Sequence, residues 1–193
     1  MERVIPRSYR RFLRSWLADP FAVGAVAPSG RPLGRMLTRE INPGARVLEL
    51  GPGTGTVTRE ILARGVAERD LYLLERCQRF ADQLGRNYPQ ARVVCGDAIV
   101  AHELFAAQRG SFDFVISGLP LVLFSRAQKA RLLTSCFELL ARAGSFYQFT
   151  YGGRCPLDRR ELERQGLKAR CVGFIALNMP PAFVYRIARA GTV

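Results

Sequence analysis

The chain reads as an α/β domain: a seven-stranded, mostly parallel Rossmann-like sheet with an antiparallel hairpin at its C-terminal edge, preceded by an amphipathic N-terminal helix. Three observations predict this. Short apolar runs alternate with helix-length segments, the pattern of parallel strands joined by covering helices. The first strand enters a glycine loop, Gly51-Pro52-Gly53-Thr54-Gly55. The last two apolar runs follow each other across Pro180-Pro181 with no helix between them, so they are expected to lie antiparallel at one edge.

In chain order, residues 7–17 have helical periodicity: Tyr9, Phe12, Leu13, Trp16 and Leu17 recur on one side, and Arg7, Arg10, Arg11 and Arg14 occupy much of the remainder. Pro6 suits the first turn, and Asp19-Pro20 ends the helix because the residue before proline disfavours helical geometry. An uncharged loop runs from Phe21 to Gly30, and Ser29 is placed to cap a helix over 31–41. Strands are then expected near 46–50, 71–75, 91–95, 112–117, 144–151, 169–177 and 183–189. Helices fall near 56–64, 77–86, 99–108, 126–141 and 158–165. This divides the chain into an N-terminal helix and lid loop (1–29) and one sheet domain (30–193).

With 193 residues there is room for one substantial core but not for separate nucleotide and substrate domains, so function is expected to sit on the one sheet. The net charge is +13, carried almost wholly by arginine, since Lys129 and Lys168 are the two lysines. Guanidinium pairs with phosphate through two hydrogen bonds, so RNA, DNA and anionic bilayers are all candidate partners. Five scattered cysteines without a C-x-x-C pair fit reduced thiols in a cytoplasm. His102 is the one histidine, which argues against a histidine metal site or Ser-His-Asp chemistry, and it is expected to be a solvated helix residue. No metal is expected. No signal peptide or membrane-spanning run is evident either.

Chemistry concentrates at the strand ends. Val47-Leu48-Glu49-Leu50 leads into the glycine loop, whose backbone can approach a ligand to contact distance. Glu49 is expected to face the crevice at the carboxyl ends of the strands and to meet an ammonium. A pyrophosphate cofactor would favour the opposite charge and the spacing G-x-G-x-x-G, whereas this loop reads G-x-G-x-G. A second strand ends in Glu75, about 20 residues on, where an acid can hold ribose hydroxyls. A third ends in Gly96-Asp97, whose carboxylate can accept from an adenine amino group. Three acids at successive strand tips point to S-adenosylmethionine, with S-adenosylhomocysteine as product.

Four segments carry a resemblance to a known family: Asp19-Pro20 with Gly24-Ala25-Val26-Ala27-Pro28-Ser29; Glu49 to Gly55; Ser117-Gly118-Leu119-Pro120-Leu121; and Gln148-Phe149-Thr150-Tyr151-Gly152. Over essentially the whole chain the sequence resembles the bacterial phospholipid N-methyltransferases of the soluble, rhizobial type, class I methyltransferases related to the rRNA adenine dimethylases. That family often has Ser-Ser after the loop proline, where this chain has Ser29-Gly30. The resemblance implies that Glu49, Gly51, Gly53, Glu75 and Asp97 bind the cofactor, with Thr54, Gly55, Arg76, Ala98 and Ser117 around them. It places Ser117 to Leu121 beside the reacting methyl, with Pro28 and Ser29 in the lid. The implied activity is methylation of the phosphatidylethanolamine amine, repeated towards phosphatidylcholine, by a monomer at the inner face of the cytoplasmic membrane.

The acceptor must lose a proton, and Tyr147, Tyr151, the neighbourhood of Ser117 and water are the candidates to take it. Phe21, Phe124, Tyr147, Phe149 and Tyr151 are candidates for an aromatic wall around a partly methylated ammonium. In the helix at 7–17, Arg7, Arg10, Arg11 and Arg14 would meet anionic headgroups while Phe12, Leu13 and Trp16 enter the interface. Three rivals remain. An ornithine-lipid N-methyltransferase would use the same cofactor site. An RNA adenine N6-methyltransferase would stack its base on an aromatic residue where this chain has Leu121, so no nucleic-acid partner is expected. The third is a non-catalytic nucleotide-binding protein at the membrane surface.

Overall fold

The computed structural model describes residues 30–151, 153–176 and 181–191. The N-terminal helix, the lid residues Pro28 and Ser29, and the turn leading into Pro181 lie outside the described residues. So do the proposed membrane-binding side chains Arg7, Arg10, Arg11, Phe12, Arg14 and Trp16.

Among the described residues the elements run α1 (Arg31–Leu37), β1 (Val47–Leu50), α2 (Thr56–Leu62), β2 (Leu71–Glu75), α3 (Gln78–Asn87), β3 (Arg92–Cys95) and α4 (Ala101–Leu104). There follow β4 (Phe112–Ser117), α5 (Arg126–Leu139), β5 (Leu140–Thr150), α6 (Arg159–Arg164), β6 (Leu167–Ile175) and β7 (Ala182–Arg189). The strands form one sheet in the order β3-β2-β1-β4-β5-β7-β6. The first five are parallel, while β7 runs antiparallel to both β5 and β6. The expected sheet and its edge hairpin are therefore present. Chain order reverses between β1 and β4, and the crevice outside their carboxyl ends is where such sheets bind ligands.

Strand parity builds the core on both faces. Leu48 and Leu50 of β1 join Phe146 of β5 and Leu132, Leu133 and Cys136 of α5 on one face. Val47 and Tyr147 join Leu33 and Leu37 of α1 and Val57 and Ile61 of α2 on the other. Because both faces are covered, the central strands read as continuous apolar runs.

The structure differs from the sequence expectation where local geometry intervenes. The helix expected over 99–108 is broken into 3-10 turns at Ala98–Val100 and Ala106–Gln108 flanking the four-residue α4. It opens on Asp97, whose Oδ1 accepts from Ile99 N at 2.9 Å. Strand β5 begins four residues earlier than expected, directly from α5, with a register shift where it meets Phe112 and Phe114. His102 is not free in solvent: its Nδ1 lies 2.9 Å from Ser135 Oγ on α5, with the ring about three-quarters covered. That pairing ties α4 to α5.

Candidate functional site

At the switch point a cavity of about 500 Å³ opens between the ends of β1 to β4. Its size falls within the range of small-molecule sites, roughly 300–1,000 Å³. The glycine loop forms its floor. Gly51 has φ +67 and donates from its N–H to Leu74 O at 2.9 Å, which turns the chain sharply off β1. A Cβ at Gly51 would stand 2.9 Å from Leu119 Cδ2, so only a residue without a side chain lets the two loops approach this closely.

Glu75 closes one side and is bonded into the loop. Its Oε2 accepts from Gly53 N at 3.0 Å and its Oε1 accepts from Cys77 N at 2.9 Å. A carboxylate has about four acceptor positions, so capacity remains for two ligand hydroxyls. Asp97 also lines the cavity, with Arg76, Ala98 and Ile99, and Leu74 and Phe80 supply apolar wall. Opposite them stand Gly118, Leu119 and Pro120, followed by Leu123, Phe124 and Gln128. Gly118 N donates to Leu50 O at 2.8 Å, and a Cβ on Gly118 would fall 2.8 Å from Gly51 O. The two loops are thus interlocked through paired glycines.

Of the residues expected at the site, the cavity gathers Gly51, Gly53, Glu75, Arg76, Asp97, Ala98, Gly118, Leu119 and Pro120, with Phe124 as aromatic wall. Other expectations are corrected. Glu49 does not face the crevice: it is 2% exposed and shares the α2 face with Val47, and its Oε2 accepts from Thr58 Oγ1 at 2.7 Å. Burial pushes its carboxyl up to about 8, assisted by the Glu75 charge and opposed by the Thr58 bond. Near neutral pH it is therefore mostly protonated, beneath the loop.

Tyr147 is likewise turned away from the cavity. Its hydroxyl donates to Glu40 Oε2 at 2.6 Å on the α1 face, and burial together with that carboxylate pushes its pKa well above the ordinary phenol value. Tyr151 packs on Phe149 on the same face, with ring centroids 5.3 Å apart. Ser117 is fully buried, and its Oγ accepts from Leu119 N at 3.3 Å. Leu121 is core. Thr54 and Gly55 end the loop and do not line the cavity, Gly55 preceding the first residue of α2.

The sequence reading missed Cys77, Phe80, Ile99, Leu123 and Gln128 on the wall. Cys77, Phe80, Ile99 and Leu123 follow a strand tip by a few residues, so the rule that ligands sit beyond the carboxyl ends of strands could have found them, while Gln128 lies in the first turn of α5. Gln128 carries a further signal: Ser125-x-x-Gln128 is a capping box, with Ser125 Oγ accepting from Gln128 N at 3.2 Å and Gln128 Oε1 from Ser125 N at 2.8 Å.

The arrangement suits an adenosyl group. Glu75 can accept from a ribose diol, Asp97 from an exocyclic amine, and Leu74, Phe80 and Ile99 can flank a flat ring. Gly53 leaves space above its Cα for close backbone approach.

Comparison with known proteins agrees with this geometry. A family model described as a methyltransferase domain matches residues 47–144. Over 181 residues the chain is 32% identical to an ornithine lipid N-methyltransferase from Singulisphaera acidiphila, covering 90% of this chain and 92% of that protein. It is 39% identical over 99 residues to ribosomal RNA small subunit methyltransferase A from a Synechococcus species, covering 48% of this chain and 32% of that protein. Among solved structures, the 1,6-didemethyltoxoflavin-N1-methyltransferase of Burkholderia thailandensis, with 1,6-didemethyltoxoflavin and S-adenosylhomocysteine bound, shares the fold. Its TM-score is 0.67 at 17% identity, over 96% of this chain and 90% of that one.

Proposed function

Because the chain belongs to the class I S-adenosylmethionine-dependent methyltransferases, we propose that it methylates the headgroup amine of a membrane aminolipid, ornithine lipid in the first place and phosphatidylethanolamine as the alternative acceptor. The observation that carries this reading is the extent of the likeness: it runs through 92% of the lipid enzyme but only 32% of the ribosomal RNA enzyme. The acceptor wall supports it, since Leu119, Pro120, Leu123 and Phe124 form an apolar surface with one aromatic face for a methylated ammonium. Leu121, where an adenine methyltransferase would present an aromatic residue, is packed in the core.

S-adenosylmethionine supplies an electrophilic methyl on a sulfonium, which leaves the protein the tasks of placement and deprotonation. Glu75 holds the ribose end and Asp97 the adenine end, while the Gly118-Leu119-Pro120 turn sets where an acceptor nitrogen stops. An acceptor amine stopped there would have to be neutral to offer its lone pair to that methyl, and its surplus N–H proton would leave to water. We do not assign that last role to Tyr147, whose hydroxyl donates to Glu40. The N-terminal Arg7, Arg10, Arg11 and Arg14, with Phe12 and Trp16, bring the monomer to an anionic surface on the cytoplasmic face.

The test is incubation with labelled S-adenosylmethionine and, separately, ornithine lipid, phosphatidylethanolamine and ribosomal RNA. Label in ornithine lipid or phosphatidylethanolamine supports the reading; label only in RNA overturns it. Deleting residues 1–17 abolishes sedimentation with anionic vesicles if the helix is the anchor, and undiminished sedimentation refutes that part.

A further inference from the structure

Gln148 is an amide in a place built for apolar side chains. It lies on β5, paired in register with Ser117 of β4 and Tyr185 of β7, and it is completely buried on the face that also holds Phe146. Its Nε2 donates to Leu119 O and to Phe149 O, each at 2.9 Å. Its Oε1 is buried and has no hydrogen-bond partner among the described residues.

A buried acceptor without a donor is unfavourable, and a methionine of similar size would avoid it. The amide is therefore of use at its donor end. One of its bonds stays within β5. The other crosses to the turn after β4, where Leu119 O also accepts from Leu121 N at 2.9 Å. Leu119 lines the cavity and presses on Gly51 of the cofactor loop, so whatever fixes Leu119 also fixes the gap between the two loops.

We propose that Gln148 is a positioning residue: by holding the Leu119 carbonyl it sets the separation between the acceptor turn and the glycine loop, and so the approach of acceptor nitrogen to methyl. The proposal rests on the methyltransferase reading above, with the Gly118 to Phe124 segment as the acceptor side. A displacement on the order of an ångström at a reacting centre lowers turnover by up to about a hundredfold.

The test compares Gln148→Met and Gln148→Glu with the unaltered protein. Gln148→Met is expected to lower kcat about tenfold with KM changed less than about twofold, and to leave S-adenosylhomocysteine affinity and melting temperature nearly unaltered. Independently of any substrate, the amides of Gly118 and Leu121 exchange hydrogen about tenfold faster in Gln148→Met, while those of β1 and β2 do not change. In Gln148→Glu the protonated acid can donate to Leu119 O and the ionised one cannot. Activity relative to the unaltered protein is then expected to rise as pH falls.

Unchanged exchange and unchanged kcat in Gln148→Met overturn the proposal. If Gln148→Met fails to fold, Gln148→Glu decides: a flat activity ratio across pH overturns it. Faster loop exchange in Gln148→Met, with no lipid methylated even by the unaltered protein, sinks the lipid assignment and leaves the positioning role standing.

Discussion

Two carboxylates at the tips of neighbouring strands meet opposite fates. Glu75 ends β2 and Glu49 lies one residue inside the end of β1, and both are nearly buried. Glu75 receives two backbone N–H bonds and lines the cavity, whereas Glu49, on the same face of the sheet but deeper in it, receives one hydroxyl and its carboxyl is pushed up to about 8 by burial. Along β5 the division is by face instead: Gln148 faces the acceptor turn, and its neighbour Tyr147 is tied to Glu40 behind the sheet. Between the two acids it is depth along the strand that decides which one reaches the cavity; within β5 it is parity.

The sharpest way to break this comparison is at Glu75. Glu75→Ala removes the acceptor of two loop N–H bonds and a ligand-facing carboxylate together, and charge-assisted bonds are each worth about 1.5–3 kcal/mol. Affinity for S-adenosylhomocysteine, measured by calorimetry, is expected to fall on the order of a hundredfold. A change of less than about threefold would remove Glu75 from the cofactor site.

Glu49 should respond in stability. Its carboxyl is raised from 4.5 to about 8 by burial, so its contribution is fully present below 4.5, declines as pH rises and is lost above about 8. Glutamine keeps an acceptor for Thr58 and does not titrate. Glu49→Gln is therefore expected to match the unaltered protein near about pH 5 and to exceed it in urea-unfolding stability by on the order of 2 kcal/mol near about pH 9. Parallel stability curves for the two proteins across that range would mean that Glu49 is ionised throughout, as a crevice-facing acid would be.

The paired glycines allow a smaller perturbation of the cavity side. Gly118→Ala places a Cβ at 2.8 Å from Gly51 O, a backbone atom that cannot rotate away. The two loops must separate, and we expect kcat/KM to fall about tenfold with a destabilisation of about 1–3 kcal/mol. Steady-state kinetics and thermal unfolding check both, and unaltered kinetics would show that the loops need not interlock.

Most of the sheet was legible because its signals are local. Continuous apolar runs, the glycine loop and the helix-free link between the last two strands each reflect covalent or nearest-neighbour constraints, and the strand order follows from them. The acids Glu75 and Asp97 were readable for the same reason, since both stand where an apolar run stops. Glu49 was misread because it precedes the end of its strand by one residue, deep enough to be covered by α2, and no local signal marks that depth. Gln148 was noted only as part of a resembling segment, because its partner Leu119 is 29 residues away in sequence. Tyr147 and Glu40, 107 residues apart, were beyond any local pattern.

Tyr147 supplies the gentlest test and the one that bears most directly on parity. As a phenol near the end of β5 it was one of the candidate proton acceptors on sequence grounds, yet its hydroxyl bonds Glu40 at 2.6 Å, and Glu40 also meets Arg186 at 3.5 Å. Tyr147→Phe removes one donor from a carboxylate that keeps its arginine, so the loss of stability is expected to be about 1 kcal/mol. Tyr147 does not line the cavity, so kcat is expected to stay within about twofold, whereas loss of a group that takes the acceptor's proton would lower it roughly 10²–10⁴-fold. Single-turnover methylation separates the two outcomes, and a large fall at unchanged cofactor affinity would place chemistry on the α1 face and undo the parity argument.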